Sequence, residues 1–121
     1  MVINLKILII NKDVKKIFNM INFLNDMYND SICYYSTLLS TIYDESLNDI
    51  DILIIELDDK LKLSTKNITY INGNNINSIV ILEGNNNSKV NSLKNVSILH
   101  EPYTFFELKN RINNILNKLK I

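Results

Sequence analysis

The stretch Asp51-Ile52-Leu53-Ile54-Ile55-Glu56 decides the fold, because it places four branched apolar residues in a row between two acidic ones. A strand with one face in water alternates apolar and polar residues, whereas a strand covered on both faces is apolar throughout. We therefore predict a central strand of a parallel sheet here.

Similar short apolar runs recur on both sides of this stretch. They lie at residues 7–10, 79–82 and 96–99, with a weaker run at residues 31–35. Parallel neighbours need crossover connections of a dozen or more residues, and the gaps between these runs are long enough for helices. The pattern predicts one domain over residues 1–121: a flavodoxin-like (βα)5 doubly wound sandwich, with strand order 2-1-3-4-5.

Two crossover helices are well marked. The first follows Asp13, a good N-cap, and carries apolar residues at spacings of three and four over residues 14–28. The last opens with a capping box, Thr104 with Glu107, and continues to the end of the chain. We expect weaker helices at residues 37–47 and 63–72. A short or irregular fourth helix is expected at residues 85–95, which begin with three asparagines.

Composition excludes several classes of protein. Thirteen basic residues balance thirteen acidic ones, so no strong field draws the domain to nucleic acid or to an anionic membrane. No apolar run approaches the roughly 20 residues of a membrane span. A single cysteine, Cys33, allows no internal disulfide, which favours a reducing, cytoplasmic location, and we interpret it as a buried small apolar residue.

In such sheets, ligands bind beyond the carboxyl ends of the strands, near the point where the strand order reverses. The predicted strand ends carry polar residues at Asn11-Lys12-Asp13, Glu56, Glu83-Gly84 and His100-Glu101-Pro102. His100 has no paired nucleophile and is interpreted as structural. Residues 58–60 are interpreted as a polar loop, and neither glycine lies in a phosphate-binding pattern.

With these strand ends identified, the whole chain resembles a receiver domain of two-component response regulators, most closely of the OmpR/PhoB type. Residues 6–13 are similar to the family's first strand, which normally ends in an acidic pair. Residues 51–56 are similar to the third, which normally ends in the phosphoacceptor aspartate. Residues 79–84 are similar to the fourth, and residues 101–108 to the Lys-Pro-Phe segment that opens the last helix. In the family the peptide before this proline is often cis, and the sequence leaves that open here.

The resemblance also implies that the phosphoacceptor pocket is degenerate. Phosphorylation of a receiver requires an aspartate, an acidic pair holding a divalent cation, a hydroxyl group and a lysine, because cation and lysine neutralise the transferring phosphoryl group. At these positions the chain carries, in turn, Glu56, Asn11-Lys12 (followed by Asp13), Glu83 and Glu101, and the aromatic switch position is Ile98. We therefore expect no catalytic residue, no enzymatic activity, no metal and no cofactor.

Three interpretations of these strand-end charges remain open. The first is an ion pair in which the Lys12 ammonium replaces the magnesium ion beside Glu56 and locks one conformation. The second is a set of solvated charges, each contributing little. The third is a metal site with oxygen ligands.

The resemblance implies a phosphorylation-independent regulatory and dimerisation module, at the N-terminus of a transcriptional regulator whose DNA-binding domain follows residue 121. DNA would be bound only by that domain, and no membrane is involved. The homodimer would form through helix four, strand five and helix five, a face that presents Lys94, Glu107, Lys109 and Arg111. The alternatives are a stand-alone receiver that binds a signalling protein and, third, a metal-dependent phosphotransfer protein.

Overall fold

The computed structural model describes residues 5–84 and 89–119. Five strands form one sheet in the order β2-β1-β3-β4-β5, and every neighbouring pair is parallel. The strands are β1 (Lys6–Ile10), β2 (Ile32–Ser36), β3 (Ile52–Leu57), β4 (Asn77–Leu82) and β5 (Val96–His100). The predicted α/β fold class and strand order are confirmed.

The unbroken apolar runs are explained by cover on both faces of the sheet. All six residues of β3 are buried. Because side chains alternate along a strand, Ile7 and Ile9 join the core on one face while Leu8 and Ile10 join the core on the other. Strand β1 thus contributes to two cores at once.

Three α-helices cover the sheet in the described part of the chain: α1 (Val14–Met27), α2 (Thr65–Gly73) and α3 (Phe105–Leu119). Helices α1 and α3 pack on the core that contains Ile7, whereas α2 packs on the core that contains Leu8. Of the helices described, none is long and apolar enough to cross a membrane.

The prediction of an α-helix at residues 37–47 is wrong. The structure has two short 3-10 turns there, Leu39–Tyr43 and Glu45–Leu47. Local side chains take the backbone groups that a helix would need. The Ser36 hydroxyl oxygen accepts from the amide of Leu38 at 3.0 Å, and an Asp44 carboxylate oxygen accepts from the amide of Ser46 at 3.0 Å. Such bonds compete with helix formation.

The fourth helix, expected at residues 85–95, is represented by one 3-10 turn at Val90–Ser92. Residues 85–88 of this segment lie outside the described residues. Val90 and Leu93 are buried and join the core beside α2.

Candidate functional site

The candidate site lies where β1, β3 and β5 end, at the edge of the sheet where the strand order reverses. Asn11, directly after β1, is 4% exposed and shapes the turn into α1. Its amide donates to the Ser36 carbonyl at 3.2 Å, and its side-chain oxygen accepts from the amide of Asp13 at 2.9 Å. Asn11 therefore has a structural role in this turn.

Asp13 caps α1, as its position predicted. One carboxylate oxygen accepts from the amides of Lys15 at 3.0 Å and Lys16 at 3.4 Å. This cap fixes the first turn of α1 at the carboxyl end of β1. It thereby positions Lys16, the third residue of the helix, beside the end of β3.

The built-in cation of this site is Lys16. Its Nζ donates to Oε2 of Glu56 at 3.2 Å and lies 3.9 Å from Oε1 of Glu101. We call Lys16, Glu56 and Glu101 the Lys16 cluster. The predicted ion pair between Lys12 and Glu56 is wrong, because Lys16 reaches Glu56 from α1.

Lys12 binds Asp58 instead, with distances of 2.9 and 3.1 Å from Nζ to the two carboxylate oxygens. Oδ1 of Asp58 also accepts from the amides of Lys60 and Leu61, both at 2.7 Å. Lys12 and these amides lower the pKa of Asp58 to about 2. The sequence analysis did not predict the Lys12–Asp58 pair. The turn at Asp58 had a recognisable signal, because aspartate side chains often accept from backbone amides two and three residues further along the chain.

Glu56 is the chemically unusual residue of the site, because its carboxyl group is buried and shares a single ammonium with a second carboxyl group. The residue is 8% exposed, and its Oε1 has no hydrogen-bond partner within residues 5–84 and 89–119. Burial raises the pKa of Glu56, the adjacent Glu101 carboxyl raises it further, and Lys16 opposes both.

Main-chain hydrogen bonds hold Glu83 and Glu101 at the ends of β4 and β5. The amide of Glu83 donates to the Leu57 carbonyl and that of Glu101 to the Leu82 carbonyl, each at 2.9 Å. The side chain of Glu83 is exposed. The peptide between Glu101 and Pro102 is cis.

An open groove of about 240 Å³ adjoins the cluster and is lined by Lys16, Asn19, Glu101, Tyr103 and Phe105. The Phe105 ring stacks on that of Phe23, with centroids 4.6 Å apart. Burial, together with the nearby charges of Glu56 and Glu101, raises the pKa of Tyr103 to about 12. Tyr103 therefore stays a neutral wall of this groove at physiological pH.

The other predicted residues lie on β5, α3 and the connection before β5. Ile98, at the switch position, is half-buried and packs on the core beside α2. The amide of Lys94 donates to Asn72 at 2.9 Å. Glu107 forms the predicted capping box, accepting from the amide of Thr104 at 3.2 Å while its own amide donates to the Thr104 hydroxyl at 3.1 Å.

Lys109 and Arg111 follow on α3, and both are partly exposed. In the described part of the chain, no group of three or more His, Cys, Asp or Glu side chains is arranged to hold a metal ion.

Solved structures with this architecture include a signal receiver domain. It belongs to a protein named as a LuxO repressor from Vibrio parahaemolyticus, with a TM-score of 0.75 and 16% identity, over 98% of this chain and 94% of the other. This chain has the receiver fold. No protein-family model matches it, and no curated protein matches its sequence.

Two proteins named for pilus assembly share the receiver fold. One, from Burkholderia pseudomallei, has a TM-score of 0.68 and 14% identity, over 93% of this chain and 89% of the other. The second, from Burkholderia thailandensis, has a TM-score of 0.66 and 13% identity, over 93% of this chain and 98% of the other.

The Lys16 cluster lies where β3 and β5 end, beside the first turn of α1. Its Glu56 carboxylate is bound by an ammonium from the same chain, and a second carboxyl group faces it. Such an arrangement can bind a proton or a cationic group. Glu56, Glu83 and Glu101 all contribute negative charge at the Lys16 ammonium.

Proposed function

We propose that this chain is an atypical receiver domain of a response regulator, a non-enzymatic regulatory module that works without aspartyl phosphorylation. The observation that carries the proposal is the ion pair between Lys16 and the buried Glu56. An ammonium held at 3.2 Å does locally what a divalent cation does in a phosphorylated receiver, because it neutralises the carboxylate at the end of β3.

Three features of the pocket support the loss of phosphoryl transfer. Oε2 of Glu56 is bound to Lys16, so this oxygen is not a free nucleophile. Asn11 and Lys12 replace the acidic pair of the family, and Lys12 binds Asp58. Glu101 replaces the lysine that normally contacts the phosphoryl group, which reverses the charge at that point.

By its resemblance to OmpR/PhoB-type regulators, the domain would act as the N-terminal part of a cytoplasmic transcriptional regulator. DNA would be bound by a domain outside this chain. The domain itself would form a homodimer through β5, α3 and the connection before β5, with Lys94, Glu107, Lys109 and Arg111 on the contact face.

A second candidate is a receiver-fold protein that binds a signalling partner and carries no DNA-binding domain. It is favoured by the two pilus-assembly proteins, whose names point to assembly and not to transcription. The reading frame beyond Ile121 separates the candidates, because only the first requires a DNA-binding domain there.

The proposal is tested by incubating the chain with acetyl phosphate and Mg²⁺, and separately with beryllofluoride and Mg²⁺. We expect no phosphoryl adduct in the intact mass and no change in the amide NMR spectrum beyond that caused by Mg²⁺ alone. A receiver domain with a complete pocket serves as the positive control. A phosphoryl adduct on Glu56, or a spectrum changed by beryllofluoride, would contradict the proposal.

A further inference from the structure

The Lys16 cluster contains two carboxyl groups and one ammonium. Oε2 of Glu56 accepts from Lys16, while Oε1 is buried and has no donor among the described residues. A buried carboxylate oxygen without a donor is costly, since it has lost its water and gained nothing. Oε1 of Glu56 therefore lacks a hydrogen-bond donor among the described residues.

The neighbour that faces Glu56 is another carboxyl group. Glu101 lies within hydrogen-bonding range of the Glu56 carboxyl, and both groups approach the same Nζ, at 3.2 and 3.9 Å. Two carboxylates this close repel each other, and one of them readily keeps a proton. Lys16 compensates only part of this repulsion, because its side chain is 46% exposed and water screens its charge.

The other ionisable groups near the pair do not supply the missing hydrogen. Glu83, at the end of β4, adds negative charge that is felt by Lys16. Within the described residues, Tyr103 makes no hydrogen bond to Oε1 of Glu56, and Lys12 is bound to Asp58 in the loop after β3. Residues 85–88 contain three asparagines and a serine, so they have no ionisable side chain.

We propose that Glu56 and Glu101 form a proton-binding site, in which one proton held between their carboxyl groups joins the end of β3 to the loop before α3. Release of this proton to water leaves two carboxylates that repel each other. Glu101, which is 26% exposed, then turns towards solvent and moves the groove wall that it forms with Tyr103. The proton site rests on the proposed function. It adds that the charge entering the pocket is a proton.

The direction of the pH effect follows from the pKa of Glu56, which burial and Glu101 raise above the ordinary 4.5. The folded protein binds this proton more tightly than the unfolded chain does. The stability contributed by the protonated pair is fully present below pH 4.5 and is lost as the pH rises through the higher, folded pKa. The site thus opens on alkalinisation.

The test is a titration of the whole chain, followed by NMR of the side-chain carboxyl carbons. We expect Glu56 to titrate with a midpoint above the ordinary value of 4.5, because it is buried and faces a second carboxyl group. The amide signals of Lys16 and Tyr103 should shift with that same midpoint, because both residues line the groove.

Two matched variants give the experiment its specificity. Glu101→Gln removes the second carboxyl group, and its amide can donate to Glu56, so the midpoint of Glu56 should move to lower pH. Glu83→Gln removes one negative charge from the exposed end of the neighbouring strand and should leave that midpoint nearly unchanged.

A Glu56 midpoint at or below 4.5 would overturn the proton site. So would a raised midpoint that Glu101→Gln leaves unchanged, because burial alone would then explain it. Phosphorylation of Glu56 by acetyl phosphate would instead overturn the proposed function while leaving the titration of the free protein as described.

Discussion

At the scale of single residues, the site pairs the buried Glu56 carboxyl group with a lysine of the same chain. The sequence predicted that a lysine pairs with Glu56, and it placed Glu56 correctly near the end of β3. It failed to identify which lysine, because Lys12, Lys15 and Lys16 are all close in sequence to the end of β1. The choice depends on the cap at Asp13, which the sequence predicted, and on the competing carboxylate of Asp58, which it did not.

We predict that Lys16→Met destabilises the domain at neutral pH, whereas Lys12→Met has a much smaller effect. Removing one partner of a fully buried ion pair typically costs 3–5 kcal/mol. Lys16 is 46% exposed and Glu56 can take up a proton, so we expect about 1–2 kcal/mol here. The Lys12–Asp58 pair is exposed and contributes at most about 1 kcal/mol. Urea unfolding at neutral pH measures both values.

The same comparison at low pH provides the control. Below pH 4.5, Glu56 is protonated in the folded and the unfolded states, so Lys16→Met should lose most of its effect. An equal loss of stability at low and neutral pH would show that Lys16 acts through packing of its aliphatic chain. A larger loss from Lys12→Met than from Lys16→Met would contradict the assignment of the cation.

At the scale of secondary-structure elements, α1 carries the cation, and its N-cap sets the position of the cation. We predict that Asp13→Ala costs about 1 kcal/mol, the usual value for a lost cap, and also raises the Glu56 midpoint. The second effect arises because the backbone amide of Lys16 loses its hydrogen bond to the Asp13 carboxylate, which orients the first turn of α1. Thermal unfolding and the carboxyl NMR titration measure the two effects.

Two controls separate capping from charge. Asn caps a helix about as well as Asp, so Asp13→Asn should keep most of the stability and leave the Glu56 midpoint nearly unchanged. Ser64 caps α2, because its hydroxyl accepts from the amide of Asn67 at 3.1 Å, and Ser64→Ala removes this cap. It should destabilise the domain without changing Glu56. If Ser64→Ala shifted the Glu56 midpoint as much as Asp13→Ala does, the proposed coupling between the α1 cap and the site would be contradicted.

The strands were predictable because burial on both faces leaves a strong signal, an unbroken apolar run such as that of β3. Helices α1 and α3 were predictable from their caps and from apolar residues at helical spacing. The segment at residues 37–47 was not, because its apolar residues also suit a helix. The bonds that Ser36 and Asp44 make to the nearby backbone determine the short turns there, and sequence spacing does not rank such bonds against a helix.

At the scale of the whole molecule, a net charge of zero leaves association to local patterns of charge. The proposed contact face carries three cations, Lys94, Lys109 and Arg111, and one anion, Glu107. In a two-fold dimer the same face meets itself, so cations of one copy must lie near Glu107 of the other. Because the described part of the connection before β5 forms only one 3-10 turn, the two copies would approach mainly along β5 and α3.

We therefore predict a homodimer that weakens with salt and whose dissociation constant is the same with and without beryllofluoride. Arg111→Glu places like charge opposite Glu107 and should raise the dissociation constant about tenfold or more, since tenfold corresponds to about 1.4 kcal/mol. Lys62→Glu, which reverses a charge on the loop before α2, is the matched control and should have little effect. Analytical ultracentrifugation over a range of protein concentrations measures the dissociation constants of the unmodified chain and of both variants.

Equal dissociation constants for Arg111→Glu and the unmodified chain would place the contact elsewhere. A dimer that appears only with beryllofluoride would mean that the pocket still responds to a phosphoryl group.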